Sequence, residues 1–443
     1  MNDGSGGARG TAAARPQPRE PDAAKAASAG LFDVVSLLAQ LGVGKLRSSF
    51  DAQAAGCRWA RAAMEKQGAT TLRIGVAGRT IDLIGSRERS SGVLAASPAG
   101  GEYGAGKLKK GGMSFLAPHA LTIADGEAWH RCRTFNEEVL GTGATHALAQ
   151  AFLERVRAAF DRPAVGTDGI RAAMARAMTG IVLGEGAGTE RAADDVAVLF
   201  DVVQSPLRRK LLGFRYRGRR QRLYAAIARC YDSAADGDAM LLALARRSAD
   251  GLARDELLHQ VPHWMFTFTG SGTDLLARTL ALITSRPPVR KRVLDELAAT
   301  GSPSLPQTIE RLDFLNACLL ETGRLFPPVT RTFHRRASGG NDIVHYFPLL
   351  QRDDALGATV HDFVPDRWLE SKPDAAAAAS NLFLRGPRAC PGADLILFVC
   401  RAALARLLGD FAVEGGGATL ARDPLPLSFP EREARFTAAE ATT

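Results

Sequence analysis

The chain has 443 residues, 46% hydrophobic and 23% charged, a balance that supports a large buried core and excludes a fibrous or wholly disordered protein. Its 56 Lys and Arg against 47 Asp and Glu leave a formal charge of +9, too dilute over this length for the dense basic stripe of a nucleic-acid binder. Cys57, Cys132, Cys230, Cys318, Cys390 and Cys400 form no CxxC pair, which argues against a disulfide framework or a structural zinc site and points to a reducing, cytoplasmic setting.

In chain order, residues 1–28 contain no aromatic residue and no Leu, Ile or Val, and are expected to form a flexible tail ahead of one large domain at 29–443. No apolar stretch is long enough for a secretory signal or a membrane span. Residues 71–76 and 80–84, β-branched runs around Ala77-Gly78-Arg79, predict a hairpin. Residues 91–112, with seven glycines, read as a long surface loop. Helical periodicity dominates from about Leu148. Residues 206–222 hold Arg208, Arg209, Lys210, Arg215, Arg217, Arg219, Arg220 and Arg222 with no acid, interleaved with Leu211, Leu212, Phe214 and Tyr216.

Further on, residues 261–284 are the most apolar long segment. Interrupted by His263, Asp274 and Arg278, they predict a buried core helix and not a span. Pro287-Pro288 closes that helix and opens another over 289–300. Residues 306–326 place Ile309, Leu312, Leu315, Leu319 and Leu320 at helical spacing before Pro327-Pro328. Within them, Glu321-Thr322-Gly323-Arg324 sets an acid and a base at i and i+3 on one helix face.

The most specific segment is Phe383-Leu384-Arg385-Gly386-Pro387-Arg388-Ala389-Cys390-Pro391-Gly392, followed at once by an apolar helix from about Ala393 to Phe411. A cysteine just ahead of a helix N-terminus lies among unpaired N–H groups and the positive end of the helix dipole, a setting expected to favour thiolate. Glycines on either side let the backbone pass close to a flat ligand. One such cysteine alone would read as a core residue. Five positions filled in register do not.

This decapeptide matches Phe-x-x-Gly-x-Arg-x-Cys-x-Gly, and the chain resembles the cytochrome P-450 (haem-thiolate) superfamily, soluble bacterial type, over roughly residues 31–436. The resemblance implies a mainly α-helical single domain with a minor β region. Haem b (iron protoporphyrin IX) would be held by Cys390 as metal ligand, with Phe383, Gly386, Arg388 and Gly392 around it. Phe363-Val364-Pro365-Asp366-Arg367-Trp368 stands where the family requires it, so Glu321, Arg324 and Arg367 are implied to form a buried structural network. Trp129, Arg133, Arg331 and Arg388 are implied as contacts for the haem propionates. Gln351-Arg352-Asp353 stands where His-Arg-Asp is common, and the segment between Arg331 and Phe363 is compressed.

Thr269-Gly270-Ser271-Gly272-Thr273-Asp274 resembles the family's distal helix motif, giving Thr273, Ser271, Gly272 and Asp274 as the candidate catalytic positions. Gly272 occupies the usual acid position. Asp274 is expected to point away from the haem, because one residue turns a helix by about 100°. The implied activity is oxidation of a small organic substrate, anionic or carrier-bound, by a monooxygenase drawing electrons from a ferredoxin or flavodoxin and its reductase, since no Gly-x-Gly-x-x-Gly fingerprint or flavin module is evident. The same fold also serves a peroxygenase, a redox-neutral isomerase or dehydratase, or a non-enzymatic haem sensor. The basic 206–222 segment suits peripheral membrane contact, an acidic substrate or carrier, or a plain solvated face.

Overall fold

The computed structural model describes residues 26–28, 52–76, 79–96, 101–162, 166–186, 189–204, 206–248, 251–301 and 303–437. It is mainly helical, with one mixed sheet of six strands ordered β1-β2-β3-β6-β5-β4 and a two-stranded sheet of Glu414–Gly415 against Phe436–Thr437. The strands are β1 (Ala26–Ser28), β2 (Thr71–Val76), β3 (Arg79–Ile84), β4 (Tyr103–Ala105), β5 (Arg331–Arg336) and β6 (Asp342–Tyr346). The predicted hairpin is β2 against β3, with Thr71 opposite Ile84. Of the expected tail, residues 1–25 lie outside the described residues, and Ala26–Ser28 pair in parallel with Thr71–Arg73 as β1.

The expectation of a long loop over 91–112 is wrong for the described part of that segment. Residues up to 95 complete the helix Arg87–Ala95, then come β4 and the helix α1 (Lys107–Leu116). Its glycines serve close approach. A Cβ on Gly104 would lie 2.7 Å from Asp125 Oδ1, and one on Gly106 would lie 2.8 Å from Phe333 Cβ. With Gly106 unable to cap α1 by a side chain, Asp342 of β6 takes over, accepting from Lys107 N at 2.8 Å and Leu108 N at 2.7 Å.

Six more helices frame the central region: α2 (Gly126–Leu140), α3 (Thr189–Gln204), α4 (Pro206–Leu212), α5 (Arg217–Ser233), α6 (Val261–Phe266) and α7 (Thr273–Thr284). The last two are one continuous rod joined by a π-helical stretch at Thr267–Gly272. This is the buried helix predicted for 261–284, with Trp264, Met265, Leu276 and Leu280 all inside the main core. The helix expected over 306–326 is split into Pro306–Glu310 and α8 (Asp313–Leu325), with Leu312 turning the chain between them. The helix after Cys390, α9 (Ala393–Ala405), continues as a π-helical turn over Arg406–Asp410 and is buried on nearly every side. No helix among the described residues is long and apolar enough to cross a membrane.

Candidate functional site

Glu321 and Arg324 face the same side of α8 and are fully buried. Arg324 donates to Glu321 twice, Nε to Oε2 and Nη2 to Oε1, each at 2.8 Å. Arg367 Nε donates to the same carboxylate at 3.1 Å, Trp368 Nε1 at 2.9 Å and Val364 N at 3.1 Å. The spare guanidinium protons go to Val360 O and Thr359 O, and Arg367 also pairs with Asp374. The carboxylate receives five hydrogen bonds from two cations, an indole and an amide, which is how a buried charge becomes tolerable. The compressed segment after β6 feeds the same network. It is a short helix over Phe347–Gln351, where the buried Gln351 donates to Arg324 O at 2.6 Å and accepts from Asn381 N at 3.0 Å.

The decapeptide wraps Cys390 in place immediately before α9. Cys390 N donates to Phe383 O at 2.7 Å, and Gly386 takes a left-handed φ of +56°, against Ala95 and Leu94 of the preceding helix. Gly392 is the N-cap of α9, where a Cβ would meet Leu140 of α2 and Phe268 of the π-helical stretch. The loop is therefore clamped between α2 and the 261–284 rod. Arg133 of α2 donates to Ala389 O and pairs with Glu137.

The thiolate preference expected from the helix start is not met in the protein chain alone. Burial raises the Cys390 thiol pKa, and the Gly392 N–H and the Arg133 guanidinium oppose this only in part. A metal cation on the sulfur would reverse that balance, because a coordinating thiol is deprotonated outright.

Beside the sulfur lies a group of basic residues that only partly coincides with the predicted one. Trp129 and Arg133 are on α2 and Arg388 precedes Cys390, as expected. Arg388 donates to Tyr103 O of β4, its Nε is buried without a partner, and burial pushes its pKa down to about 10. Arg331 is exposed at the start of β5, and because successive strand residues face opposite sides, Thr332 and His334 share the face that borders Lys109 and Arg388.

Lys109 of α1, His263 of α6, His334 of β5 and His345 of β6 complete the cluster. Burial and the nearby Arg388 push Lys109 down to about 8. Burial and Lys109 push His263 down to about 3. Burial, above all, keeps His334 and His345 neutral. Thr332 Oγ1, His334 Nδ1, His345 Nε2 and His263 Nδ1 are buried without hydrogen-bond partners. The His334 and His345 rings meet edge to face at 4.9 Å, and His345 Nδ1 is held by Ser90 Oγ at 2.8 Å. Asp125, the acid that offsets both Lys109 and Arg388, is already paired with Lys110 and Ala105 N. Repelling, half-buried cations beside buried polar atoms without partners call for an anion.

Sequence reasoning missed Lys109, His263, His334 and His345, because they meet only through the β4–β5–β6 pairing and the docking of α1 and α6 on it. The single available signal was the lysine pair Lys109-Lys110 in a segment read as a loop.

On the distal rod the candidate residues part company. Thr273 is fully buried and donates Oγ1 to Thr269 O at 2.8 Å, and Ser271 is half-buried two residues before it. A Cβ on Gly272 would lie 2.6 Å from Ile396 Cδ1 of α9, so a side chain at the usual acid position would require Ile396 to move. Asp274 is half-exposed and paired with Arg278 at 3.5 Å, with Arg278 also held by Phe326 O and Glu431. The displaced acid is committed elsewhere.

Comparison with known proteins gives a consistent but partial likeness. No protein-family model matches the chain. It is 29% identical over 199 residues to cytochrome P450 monooxygenase 212 of Postia placenta, covering 37% of this chain and 36% of that one. It is 30% identical over 158 residues to cytochrome P450 monooxygenase btcB of Colletotrichum orbiculare, covering 31% and 30%. It is 27% identical over 176 residues to cytochrome P450 71A12 of Arabidopsis thaliana, covering 36% and 35%. The chain thus spans about a third of the length of the curated relatives it matches. These relatives are fungal and plant proteins, so the similarity lends no support to the bacterial type. Over that third the chain is similar to cytochrome P450 monooxygenases, and its mainly helical fold with a minor sheet is the architecture the resemblance implies.

Proposed function

We propose that the chain is a haem-thiolate monooxygenase, with haem b bound through Cys390 and electrons drawn from a separate ferredoxin or flavodoxin system. The observation that carries this reading is the juxtaposition of a clamped cysteine at the start of α9 with a buried basic cluster that has spare donors and too little negative charge of its own. A macrocycle with one metal and two carboxylates matches both halves of that site. Arg388, Arg133 and Trp129 would hold its carboxylate edge, and Lys109 and His334 join them.

When bound and reduced, such a group activates dioxygen to oxidise a carbon centre of an organic substrate. The chain's own residues act around it. The Gly392 N–H is directed at the sulfur and tunes its donor strength. Thr273, with its proton given to Thr269 O, offers lone pairs that order water on the distal side, and Ser271 supplies a second hydroxyl. Glu321, Arg324 and Arg367 hold α8 and the 359–374 segment in register and take no part in proton transfer. All six cysteines are free, which suits a reducing compartment.

A second reading, with peroxide as oxidant in place of dioxygen and reductant, is favoured by one observation. Gly272 brings no acid to this position, and Asp274 is engaged by Arg278. Turnover with peroxide but none with a reductase system would select it.

The test of the main reading is reconstitution with haem followed by the absorption spectrum of the reduced carbonyl complex. Wild type is expected to give the thiolate-type band and Cys390→Ser to lose it. An unchanged spectrum in Cys390→Ser would overturn the ligand assignment.

A further inference from the structure

Two cavities of the protein differ in the charge of their walls. One, of about 400 Å³, sets Arg155 and Arg229 against Glu185 and Asp238, and its charges balance. The other, of about 530 Å³, is bounded by the end of β5 and the starts of α1 and α2, and carries Lys107, Lys110, Arg335 and Arg336 against a single acid, Asp125. That acid is already engaged: it pairs with Lys110 and accepts from Ala105 N at 3.0 Å.

The other cations of the second cavity are held in place but not matched by acids in its walls. Lys107 is exposed at the first position of α1. Arg335 is half-buried, with its Nε buried and without a hydrogen-bond partner. Gly104 stands opposite Arg335 across the β4–β5 ladder, so no cross-strand side chain packs on the arginine stem. Arg336 lies over the Tyr103 ring, 5.6 Å from its centre. None of the residues assigned above to the haem carboxylates is in these walls, so haem does not answer their charge.

We infer that this cavity binds a small polar phosphate monoester, such as a sugar phosphate, with its phosphate held by Lys107, Arg335 and Arg336. A surplus of cations calls for more than one negative charge in a compact group. A phosphate monoester carries about −1.5 to −2 at neutral pH and offers three acceptor oxygens, and two adjacent guanidiniums present planar forks that match them. The volume falls in the range of small-molecule sites, roughly 300–1,000 Å³, which leaves room beyond the phosphate. No aromatic or large aliphatic side chain lines that room, whereas Gly101, Ser338 and Gly339 bring backbone groups and a hydroxyl. An alkyl chain or a stacked base finds no apolar wall there, and sugar hydroxyls find hydrogen-bond partners. The inference stands on this cavity alone and does not depend on the activity proposed above.

The haem-loaded full chain is titrated in a calorimeter at low salt with glucose 6-phosphate, inorganic phosphate, octyl phosphate and glucose. Glucose 6-phosphate is expected to saturate one site per chain, several-fold more tightly than inorganic phosphate or octyl phosphate, and glucose is expected not to bind. Arg335→Gln should weaken glucose 6-phosphate about tenfold, the scale of a lost charge-assisted hydrogen bond. Lys107→Glu should weaken it at least as much, and its side chain is exposed, so the fold is kept even if Arg335→Gln disturbs β5. An unchanged haem spectrum verifies folding in each variant. Asp125→Asn removes the acid of the walls and releases Lys110, and should tighten binding, an effect of a sign that damage to the structure would not give. The proposal is overturned if glucose 6-phosphate shows no saturable binding, or if a folded Arg335→Gln or Lys107→Glu variant binds it like wild type. Inorganic phosphate binding as tightly would overturn it by reducing the cavity to an adventitious ion site, and octyl phosphate binding more tightly would overturn it by showing an apolar wall. Binding of polyglutamate by a chain that ignores glucose 6-phosphate would overturn it in favour of a docking face for an acidic protein.

Discussion

Two groups of charge, one around Glu321 and one around Arg388, are built on opposite plans. Around Glu321 every charge is matched: one carboxylate, two guanidiniums, an indole and an amide, with the spare guanidinium protons on carbonyls or on Asp374. Around Arg388 the charges repel. Lys109 and two neutralised histidines are pressed against it, Asp125 is shared with Lys110, and several buried donors and acceptors have no partner. A closed network needs nothing more and reads as structural. An open one costs stability in the bare chain and gives it back when an anion arrives, which is the signature of a binding site.

The largest expected effect lies in the closed network. Glu321→Ala strands Arg324 and Arg367 in a fully buried setting, and breaking such a pair typically costs on the order of 3–5 kcal/mol. Urea unfolding of the haem-free chain should show this as a lower midpoint with an unchanged slope. A variant that stays stable and shows only a rate defect would dissolve the contrast, because Glu321 would then belong with the functional groups.

The open cluster should respond with the opposite sign. Lys109→Met removes a half-buried cation that the bare chain cannot neutralise, and should stabilise the haem-free protein by about 1 kcal/mol. The same change should weaken haem retention by roughly tenfold, the scale of a lost charge-assisted hydrogen bond. Transfer of haem to an acceptor protein measures the second effect. The pH dependence follows from the depressed pKa of Lys109, about 8 against an ordinary 10.5. Between these values the unfolded chain holds the proton and the folded chain does not, so stability of the haem-free protein rises with pH across that window, with the penalty full below pH 8. Lys109→Met should flatten the rise. Loss of stability in Lys109→Met would show that the cluster is another structural network.

These two regions also differ in how far the sequence revealed them. Glu321 and Arg324 were legible as a pair on one helix face because i,i+3 spacing fixes that face before any tertiary contact is known, whereas their partnership with Arg367 was implied only by the resemblance that singles out Phe363–Trp368. Cys390 was legible because ten adjacent residues build its loop. Lys109 was invisible because the glycines around it read as slack. Gly104 and Gly106 are there to let Asp125 and Phe333 approach the backbone. His334 was missed because strand alternation, which spacing along the chain does not reveal, decides which β5 residues face Lys109 and Arg388. Asp195, the buried partner of Arg219 and Arg222, comes from a helix whose sequence gives no sign of what packs on it. At the Cys390 thiol, burial, which adjacent residues do not disclose, outweighs what the helix start offers.

A comparable effect separates the distal rod from both clusters. Gly272→Ala places a methyl 2.6 Å from Ile396 Cδ1. Ile396 can turn away, since the clash is with the tip of a side chain, so the cost should be about 1–2 kcal/mol, the range for mild overpacking. Pairing the change with Ile396→Val should recover most of it in a double-mutant cycle. No recovery would mean that the glycine is required for the π-helical backbone itself.

The smallest expected effect belongs to Asp274, and it decides which residue serves the distal side. A group that passes protons to the reacting centre must reach it within hydrogen-bond distance or through one water. The Asp274 carboxylate is half-exposed and turned toward Arg278, which is anchored in turn by Phe326 O, by Glu431 and by the Phe429 ring. Removing its charge leaves Arg278 with three other contacts, so Asp274→Asn should change stability by no more than about 0.5 kcal/mol, as expected for an exposed i,i+4 pair. The yield of product per reducing equivalent should barely move. Thr273 is the reverse case. It is fully buried, its rotamer is locked by the bond to Thr269 O, and it sits where the rod leaves its π-helical stretch and tightens into α7. Thr273→Ala removes the hydroxyl without touching Arg278, and should divert a large share of the reducing equivalents to peroxide at little cost in folding. If instead Asp274→Asn uncouples and Thr273→Ala does not, then the carboxylate swings inward during turnover, and Arg278, its partner at rest, would have to release it.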